Sequence, residues 1–426
     1  MPASLKKIQL NSQIIIVFSL LAALIIFALS IYAKDIQPAR SVPYIYMTDL
    51  VSFYTAGRII ISAGPSHLYD LNLQYSYQHR LDPSVVYSYY ATSPYFNPPF
   101  LALFLVPIAF LPFNQAYLID FGFNLLCLIL LCYLVFISLN RTSLTKRMMV
   151  ITGILTFLPI DNSLLVGQFS ILMSLILLFS WRLLNQSKTT QAGLILSLLL
   201  IKPYLIILPL IFFALQKQFQ VLKGMVIGGG LLFLISLLLV GWSGLVGYFQ
   251  LLLAASNWNY QFEVFANLQY NLQNLLMTLL SASHPRDIFI QWLIVCLMVF
   301  LATTFLLFNR KSSLNSHLFA LKWAALVLIM LLLSPHTHFH DLSLLVVPAV
   351  LLLYLKQEKD LKINNWLIDS IIIIGYLSAV FLRTRPVSST RQIELEIVFI
   401  LIVLFFLPSI FASRHKLWYT TTYGDV

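Results

Sequence analysis

Single polar side chains between long apolar runs are the residues of this sequence that could carry chemistry. Asp49 follows Thr48 and stands just ahead of an apolar stretch that begins at Leu50. A carboxylate at the edge of a membrane could act as a general base toward a hydroxyl group. An aspartate before an apolar helix is also a common N-cap, which would make Asp49 a structural residue. The residues alone leave both interpretations open.

Two polar breaks interrupt apolar runs in the middle of the chain, Gly167-Gln168 and Lys202-Pro203. A lysine at membrane depth is costly unless it faces a partner or a water-filled cavity. The proline beside it breaks the helix and frees backbone groups that need partners of their own. We therefore expect Lys202 to line a cavity that receives an anion. The alternative is a lysine that extends its charged end to the membrane surface.

The most concentrated polar cluster runs from Ser334 to Asp341 and contains His336, His338 and His340. Three histidines at alternating positions could bind a metal, but no convincing fourth ligand accompanies them. A hydrogen-bonding or acid–base role at a substrate is the better interpretation. A plain polar loop, in which Asp341 caps the helix that follows, would account for the same residues.

The composition places these groups in a membrane protein. Of the 426 residues 60% are hydrophobic and only 10% charged, and the mean hydropathy is +0.88. A soluble domain carries roughly a quarter charged residues. The net charge of +11 comes from lysines and arginines scattered between apolar runs, with no basic stripe and no nucleic-acid motif. It therefore predicts cytoplasmic loops and no nucleic-acid partner. Cys127, Cys132 and Cys296 lie inside apolar runs and are predicted to be small core residues.

We predict an all-α polytopic membrane protein that forms a single integral membrane domain over residues 1–426. It should contain about twelve membrane helices, between eleven and thirteen, some of them half-length. The first apolar run is too long for a typical signal peptide, so we expect it to be retained. The predicted spans lie near residues 13–33, 98–112, 115–138, 148–161, 168–184, 191–213, 223–241, 287–308, 316–333, 342–355, 366–382 and 394–412.

The distribution of positive residues predicts the topology. Lys6 and Lys7 precede the first span and place the N-terminus in the cytoplasm. Segments 34–97, 241–286 and 334–341 then lie outside, the first two as long loops that we expect to contain helices on the membrane surface. Since the loops that carry Asp49 and the histidines share one side of the membrane, we expect them to face one outer cavity.

The middle of the chain conflicts with simple alternation of spans. Alternation places Arg141, Lys146 and Arg147 outside, although their charge favours the cytoplasm. Half-length helices would remove this conflict if the breaks at Pro159–Gln168 and Lys202–Pro203 both reached the outer half of the membrane.

The order of these motifs resembles that of glycosyltransferase family 87, which comprises integral membrane enzymes of the GT-C fold that use polyprenyl-phosphate sugars. The resemblance extends from about residue 45 to residue 345. The sequence departs from the family at Gln273-Asn274, which matches an asparagine-rich segment of the second external loop only loosely. The matching segments are Thr48-Asp49-Leu50, Tyr54-x-Ala56-Gly57-Arg58, Gly64 to Leu68-Tyr69-Asp70, Asn97-Pro98-Pro99-Phe100, Leu111-Pro112, Gly167-Gln168, Lys202-Pro203, and Ser334-Pro335-His336 to His340-Asp341.

The resemblance implies transfer of a hexose, with mannose favoured, from a polyprenyl-phosphate donor to a hydroxyl of a lipid-linked glycan or glycolipid. The reaction would take place at the non-cytoplasmic face of the cell (inner) membrane, among membrane lipids. Asp49 would be the catalytic base and His340 a second catalytic residue, while Lys202 and Arg58 would approach the donor phosphate. No cofactor and no metal are expected. The substrate-binding residues that the resemblance implies are Arg58, Tyr54, Tyr69, Asn97, Gln168, Lys202, His336 and His338.

Physical arguments agree with this assignment and leave two alternatives. Direct transfer with a single carboxylate predicts inversion at the sugar carbon. A multi-span transporter or lipid flippase would also carry a few intramembrane charges, but it often shows paired broken helices in two related halves, and the halves of this chain differ. A structural subunit of an envelope complex would need neither Asp49 nor the histidines. Asp70, the other acid near Asp49, is predicted to cap or orient a surface helix.

Overall fold

The computed structural model describes residues 48–81, 92–255, 269–272, 274, 313–357 and 365–383. Throughout these ranges the regular elements are helical and no strand occurs, which confirms the predicted helical class. The predicted spans at 13–33, 287–308 and 394–412 lie outside the described residues. The α-helices are α1 (Leu50–Ser62), α2 (Leu71–Leu81), α3 (Pro99–Ala109), α4 (Phe113–Ser138), α5 (Leu144–Leu155), α6 (Leu158–Val166), α7 (Ser170–Asn185), α8 (Thr189–Leu196), α9 (Tyr204–Leu215), α10 (Phe219–Ala255), α11 (His317–Leu333), α12 (Val346–Lys356) and α13 (Asn365–Arg383).

Three of the described helical stretches are long and apolar enough to cross a membrane. They are α4, α10 and the stretch Phe339–Lys356, in which a 3₁₀ turn leads into α12. Helices α5 and α6 would form a fourth span if they are counted together across their 48° bend. The other apolar helices are shorter, and several of them end at prolines or polar breaks. These elements support a membrane protein with half-length helices, but they do not confirm the count of about twelve spans.

One short helix, α3, and two hydrogen bonds near the end of α4 bear on the predicted topology around Arg141. Helix α3 has only 11 residues, about 17 Å of helix, which is shorter than the hydrocarbon layer. At the end of α4, the backbone N–H of Arg141 donates to the side-chain oxygen of Gln357 (3.2 Å), and the Gln357 amide donates to the Ser138 carbonyl (3.0 Å). Residues 138–141 therefore lie beside Lys356, at the end of the bundle that the positive charges predict to be cytoplasmic.

Helix α1 is not the surface helix that we predicted for the first external loop. Its residues from Leu50 to Gly57 are all buried, so every face of this part of the helix is covered by protein. A surface helix would bury only one stripe. These residues are apolar or small, and Gly57 lets α1 approach α3 so closely that a Cβ there would lie 2.6 Å from that of Ala109. Helix α2, which buries only Gln74 and Gln78, fits the prediction of a surface helix.

Helices α8 and α10 cross with their backbones in contact. Gly193 of α8 faces Gly224 of α10, and a Cβ on either glycine would overlap the backbone of the other helix. Small residues at such a crossing allow the close backbone approach that stabilises helix pairs in membranes. The break at Lys202 directly follows α8 and the 3₁₀ helix Ser197–Ile201. The crossing therefore holds the segment that leads to Lys202.

We expect Gly224→Ala to destabilise the protein by about 1–3 kcal/mol, because the added methyl group must displace backbone atoms. The measurement is the thermal unfolding of the purified protein in detergent. Gly230→Ala is the matched control, since Gly230 lies in the same helix and a Cβ there would have no atom within 4 Å. The control should unfold at or slightly above the wild-type temperature, because alanine favours the helix. Equal unfolding temperatures for the two variants would show that the close crossing contributes nothing.

Candidate active site

Asp49 stands at the start of α1 but does not cap it. The residue occupies the N-cap position, yet its side chain makes no capping hydrogen bond. Its Oδ2 atom instead accepts a hydrogen bond of 2.8 Å from the side-chain amide of Gln168. The carboxylate is half-buried. Asp49 therefore occupies the N-cap position, as the N-cap interpretation requires, but its side chain does not cap the helix.

A tight turn carries Gln168 to the start of α1. Gly167 ends α6 with a φ of 74°, in the left-handed region that favours glycine. A Cβ on Gly167 would lie 2.9 Å from Oδ2 of Asp120 and 3.0 Å from the Cβ of Leu50. Glycine thus satisfies two requirements, the backbone angle and the close approach to α1, and it brings Gln168 within reach of Asp49.

Lys202 points into the protein and forms an ion pair. Its side chain is buried, with Nζ 2.5 Å from Oδ1 of Asp341 and 3.3 Å from Oγ of Ser170. The Ser170 hydroxyl donates to the same carboxylate oxygen at 2.7 Å. The charged end therefore does not extend to the membrane surface. Lys202 is buried, as expected, but its anionic partner in this structure is a side chain of the protein, and the cavity that receives an anion stays a prediction.

The helix break places Lys202 at this position. The 3₁₀ helix Ser197–Ile201 ends at Lys202, and α9 begins directly after Pro203. The break frees the carbonyl of Ile201, which accepts a hydrogen bond of 2.9 Å from the side-chain amide of Asn97. The hydroxyl of Tyr69 donates in turn to the backbone carbonyl of Asn97 at 2.9 Å. Asn97 and Tyr69 thus hold the backbone that presents Lys202.

The histidine loop lies against this ion pair. Nε2 of His338 is 3.1 Å from Nε2 of His336, and Nε2 of His340 is 3.5 Å from Oδ2 of Asp341. Asp341 also accepts a hydrogen bond of 3.0 Å from the backbone N–H of His338 and caps the 3₁₀ helix Phe339–Leu345. This capping is the role that the alternative of a plain polar loop gave to Asp341, and the pairing with Lys202 is additional to it.

Two hydrogen bonds connect Asp49 to this loop, because Gln168 donates to Asp49 and Ser170, two residues further on, donates to Asp341. Burial and the neighbouring His338 lower the pKa of His336 well below its usual value. Burial also lowers the pKa of His338, while the carboxylates of Asp341 and Asp49 oppose that shift. The Asp49 carboxylate acts on His340 as well. The hydrogen bonds of Gln168 and Ser170 therefore bring Asp49 and the histidine loop to one part of the structure, where burial favours the neutral forms of His336 and His338.

Residues 269–271, part of the segment predicted to be the second external loop, contact the histidine loop. The backbone N–H of Tyr270 donates to the carbonyl of Thr337 (2.7 Å), and the Asn271 amide donates to the carbonyl of Ser334 (3.0 Å). The Gln269 amide lies 3.5 Å from Nδ1 of His336. Sequence reasoning missed Gln269 and Asn271, although the closely spaced amide residues of this loop were a usable signal.

Arg58 and Tyr54 both donate hydrogen bonds to backbone carbonyls near the end of α3. The Arg58 guanidinium donates to the carbonyl of Ala109 (3.2 Å), and the Tyr54 hydroxyl donates to the carbonyl of Leu111 (2.8 Å). Ala109 is the last residue of α3, and Leu111 follows two positions later. Arg58 is also nine residues along α1 from Asp49, about 14 Å for a helix. The substrate-binding roles of these two residues stay predictions, and the contacts found for Arg58 stabilise α3.

No metal centre is visible in the part of the chain that the structure describes. No three His, Cys, Asp or Glu side chains there converge in a way that could hold an ion. His336 and His338 direct ring nitrogens at each other, which suits a shared hydrogen bond. The expectations of no metal and no cofactor stay predictions.

The comparisons with known proteins identify a family. The sequence model of glycosyltransferase family 87 matches residues 95–335, more than half of the chain. No curated protein and no solved structure matches the chain. The matched region includes Asn97, Gln168 and Lys202. Asp49 precedes it, and the histidines from His336 onward follow it.

Proposed function

Because this chain belongs to glycosyltransferase family 87, and is thus a membrane glycosyltransferase, we propose that it takes a hexose, with mannose favoured, from a polyprenyl-phosphate carrier. The acceptor is a hydroxyl group of a lipid-linked glycan or a glycolipid. The reaction occurs at the non-cytoplasmic face of the membrane, opposite the positively charged end of the bundle that contains Arg141 and Lys356.

In the proposed step, the acceptor oxygen attacks the anomeric carbon while the bond from that carbon to the phosphate oxygen breaks. The phosphate leaves with the bonding electron pair, and the carboxylate of Asp49 takes the proton of the acceptor hydroxyl. This single displacement inverts the configuration at the sugar carbon. A retaining route would require a second, nucleophilic carboxylate. Asp341, the acid of the histidine loop, is engaged by Lys202 and Ser170 and is poorly suited to that task.

One observation supports this proposal above the others, namely the surroundings of Asp49. Its carboxylate is half-buried, is oriented by Gln168 and is freed from helix capping. Gln168, which binds Asp49, is two residues from Ser170, which binds Asp341 of the histidine loop, and the ammonium of Lys202 is part of the same cluster. A base beside a cation and hydrogen-bonding groups can deprotonate a hydroxyl and stabilise a departing phosphate.

The test is direct transfer by the purified protein. We would incubate it in detergent with polyprenyl-phosphate mannose, glucose and galactose and a mixture of lipid-linked acceptors, and measure loss of sugar from the carrier. Nucleotide sugars serve as control donors and should yield no product. Transfer from a nucleotide sugar, or none from any lipid-linked donor, would overturn the proposal.

Gln168→Leu should lower turnover about three- to tenfold, because leucine keeps a similar volume but loses the hydrogen bond to Asp49. The KM for the lipid donor should change little, since the amide acts on the base in this proposal. Gln186→Leu is the control, because Gln186 is an exposed glutamine after the far end of α7. Steady-state kinetics of both variants decide the point, and equal activities would remove Gln168 from the catalytic arrangement.

A further inference from the structure

Asp341 connects three elements that meet at the site. Its Oδ1 atom accepts from Lys202 Nζ (2.5 Å) at the helix break and from the Ser170 hydroxyl (2.7 Å) at the start of α7. Its Oδ2 atom accepts from the backbone N–H of His338 (3.0 Å) and lies 3.5 Å from Nε2 of His340. The residue is only 4% exposed. Helix capping uses Oδ2 alone and leaves the contacts of Oδ1 unexplained.

The two contacts of Oδ1 determine where the charge of Lys202 lies. A lysine side chain is long and flexible, so its ammonium adopts a single position only when partners hold it. In the described residues, the contacts of Nζ are with Asp341 and Ser170, and Ser170 is itself bound to Asp341. A buried ammonium without a counter-charge would be strongly unfavourable. Asp341 thus supplies the counter-charge beside the Lys202 ammonium and holds it in place.

The contacts of Oδ2 act on the histidine loop in the same way. The bond to the His338 N–H fixes the backbone between His336 and the 3₁₀ helix Phe339–Leu345, and the carboxylate faces the His340 ring. The backbone position of His338 and the direction of the His340 ring therefore depend on Asp341. One carboxylate sets the relative positions of the cation and the hydrogen-bonding groups.

We propose that Asp341 is a positioning residue of this site. It orients the Lys202 ammonium and the His338–His340 segment so that they receive the phosphate of the lipid donor, without binding the donor itself. This inference rests on the proposed function, since it assigns Asp341 a role toward the donor of that reaction.

The first experiment compares Asp341→Asn with the wild type in the transfer assay. Asparagine keeps the size but lacks the charge that holds Lys202, and its single side-chain oxygen can accept from Ser170 or from the His338 N–H, not from both. We expect kcat/KM for the lipid donor to fall about 10- to 100-fold, the range for loss of a hydrogen bond between charged groups. The KM for the acceptor should stay unchanged. Asp341→Glu retains the charge and should lose clearly less than Asp341→Asn.

A double variant separates positioning from a merely structural role. If Asp341 acts through Lys202, then Lys202→Met together with Asp341→Asn should be at least as active as Lys202→Met alone, which leaves a buried carboxylate unpaired. Independent structural effects would instead multiply the two losses. Multiplied losses, or an Asp341→Asn enzyme within twofold of the wild type, would overturn the inference.

Two further measurements keep this test decisive. Thermal unfolding with and without a polyprenyl monophosphate reports donor-site binding without turnover, and Asp341→Asn should lose most of the stabilisation that the wild type gains from the lipid. If this variant does not fold, Ser170→Ala replaces it, because it keeps the ion pair. A three- to tenfold lower kcat/KM for the lipid donor, at an unchanged unfolding temperature, then supports the inference. Kinetic constants equal to those of the wild type contradict it. A wild type that transfers no sugar but is stabilised by the lipid would refute the proposed function alone.

Discussion

Replacing Asp49 with asparagine should reduce the rate of sugar transfer by about 10²- to 10⁴-fold, equivalent to roughly 3–5 kcal/mol of activation free energy. Asparagine has nearly the same size, and its side-chain oxygen can still accept the hydrogen bond from Gln168. It cannot take up the proton of the acceptor hydroxyl. The unfolding temperature and the KM for the lipid donor should therefore stay close to the wild-type values. Turnover at saturating donor and acceptor measures the effect.

Asp70→Asn provides the matched control for this result. Asp70 is exposed, and its Oδ1 atom accepts from the backbone N–H groups of Asn72 and Leu73 at 2.9 and 3.2 Å, at the start of α2. The predicted capping role of Asp70 is thus confirmed. Asparagine is also a good N-cap, so this variant should be nearly as active and as stable as the wild type. An Asp49→Asn protein that turned over as fast as Asp70→Asn would exclude Asp49 as the base.

The hydrophobic pattern predicted the described helices well, because residues that end or start a helix separate them in the sequence. Lys202-Pro203 ends one helix and starts the next, and Gly167 ends α6 in the left-handed conformation. The pattern did not predict that α1 is buried. The polarity of a segment indicates whether the segment contacts water, but it does not indicate which neighbouring helix covers it. Burial of α1 depends on α3, whose approach is decided by Gly57 and Ala109.

The contacts of the site could be predicted only in part. Residue types indicated that Asp49 and Lys202 were unusual, because isolated charges at the membrane require a reason. Their partners lie 119 and 139 positions away along the chain, and such pairs follow from helix packing, not from local sequence. Asp341 illustrates the limit. Its position before an apolar run predicted the cap, whereas nothing in that run pointed to Lys202. Ser170 carried no signal at all.

Lys202→Ala should lower kcat/KM for the lipid donor on the order of 10²- to 10³-fold, as removal of a group that stabilises a developing charge typically does. The proposed step leaves a phosphate with a new negative charge, and this variant lacks the ammonium that would neutralise it. The KM for the acceptor should change much less. Lys202→Arg should retain part of the activity, because a guanidinium can pair with Asp341, although its planar, larger shape fits this buried space less well.

The stability of Lys202→Ala needs a separate control, because the variant leaves Asp341 buried without its partner, which can cost about 3–5 kcal/mol. Lys322 supplies that control. It is a second buried lysine, 1% exposed, in α11, and it precedes Ser334 by 12 positions, about 18 Å of helix. Lys322→Met tests the removal of a buried ammonium away from the site and should leave donor kinetics of the folded protein unchanged. If both variants impaired donor use equally, the loss would be one of folding, and Lys202 would have no specific role toward the phosphate. A donor-specific loss confined to Lys202→Ala, measured on protein that still unfolds cooperatively, would connect the buried ion pair to the chemistry at Asp49.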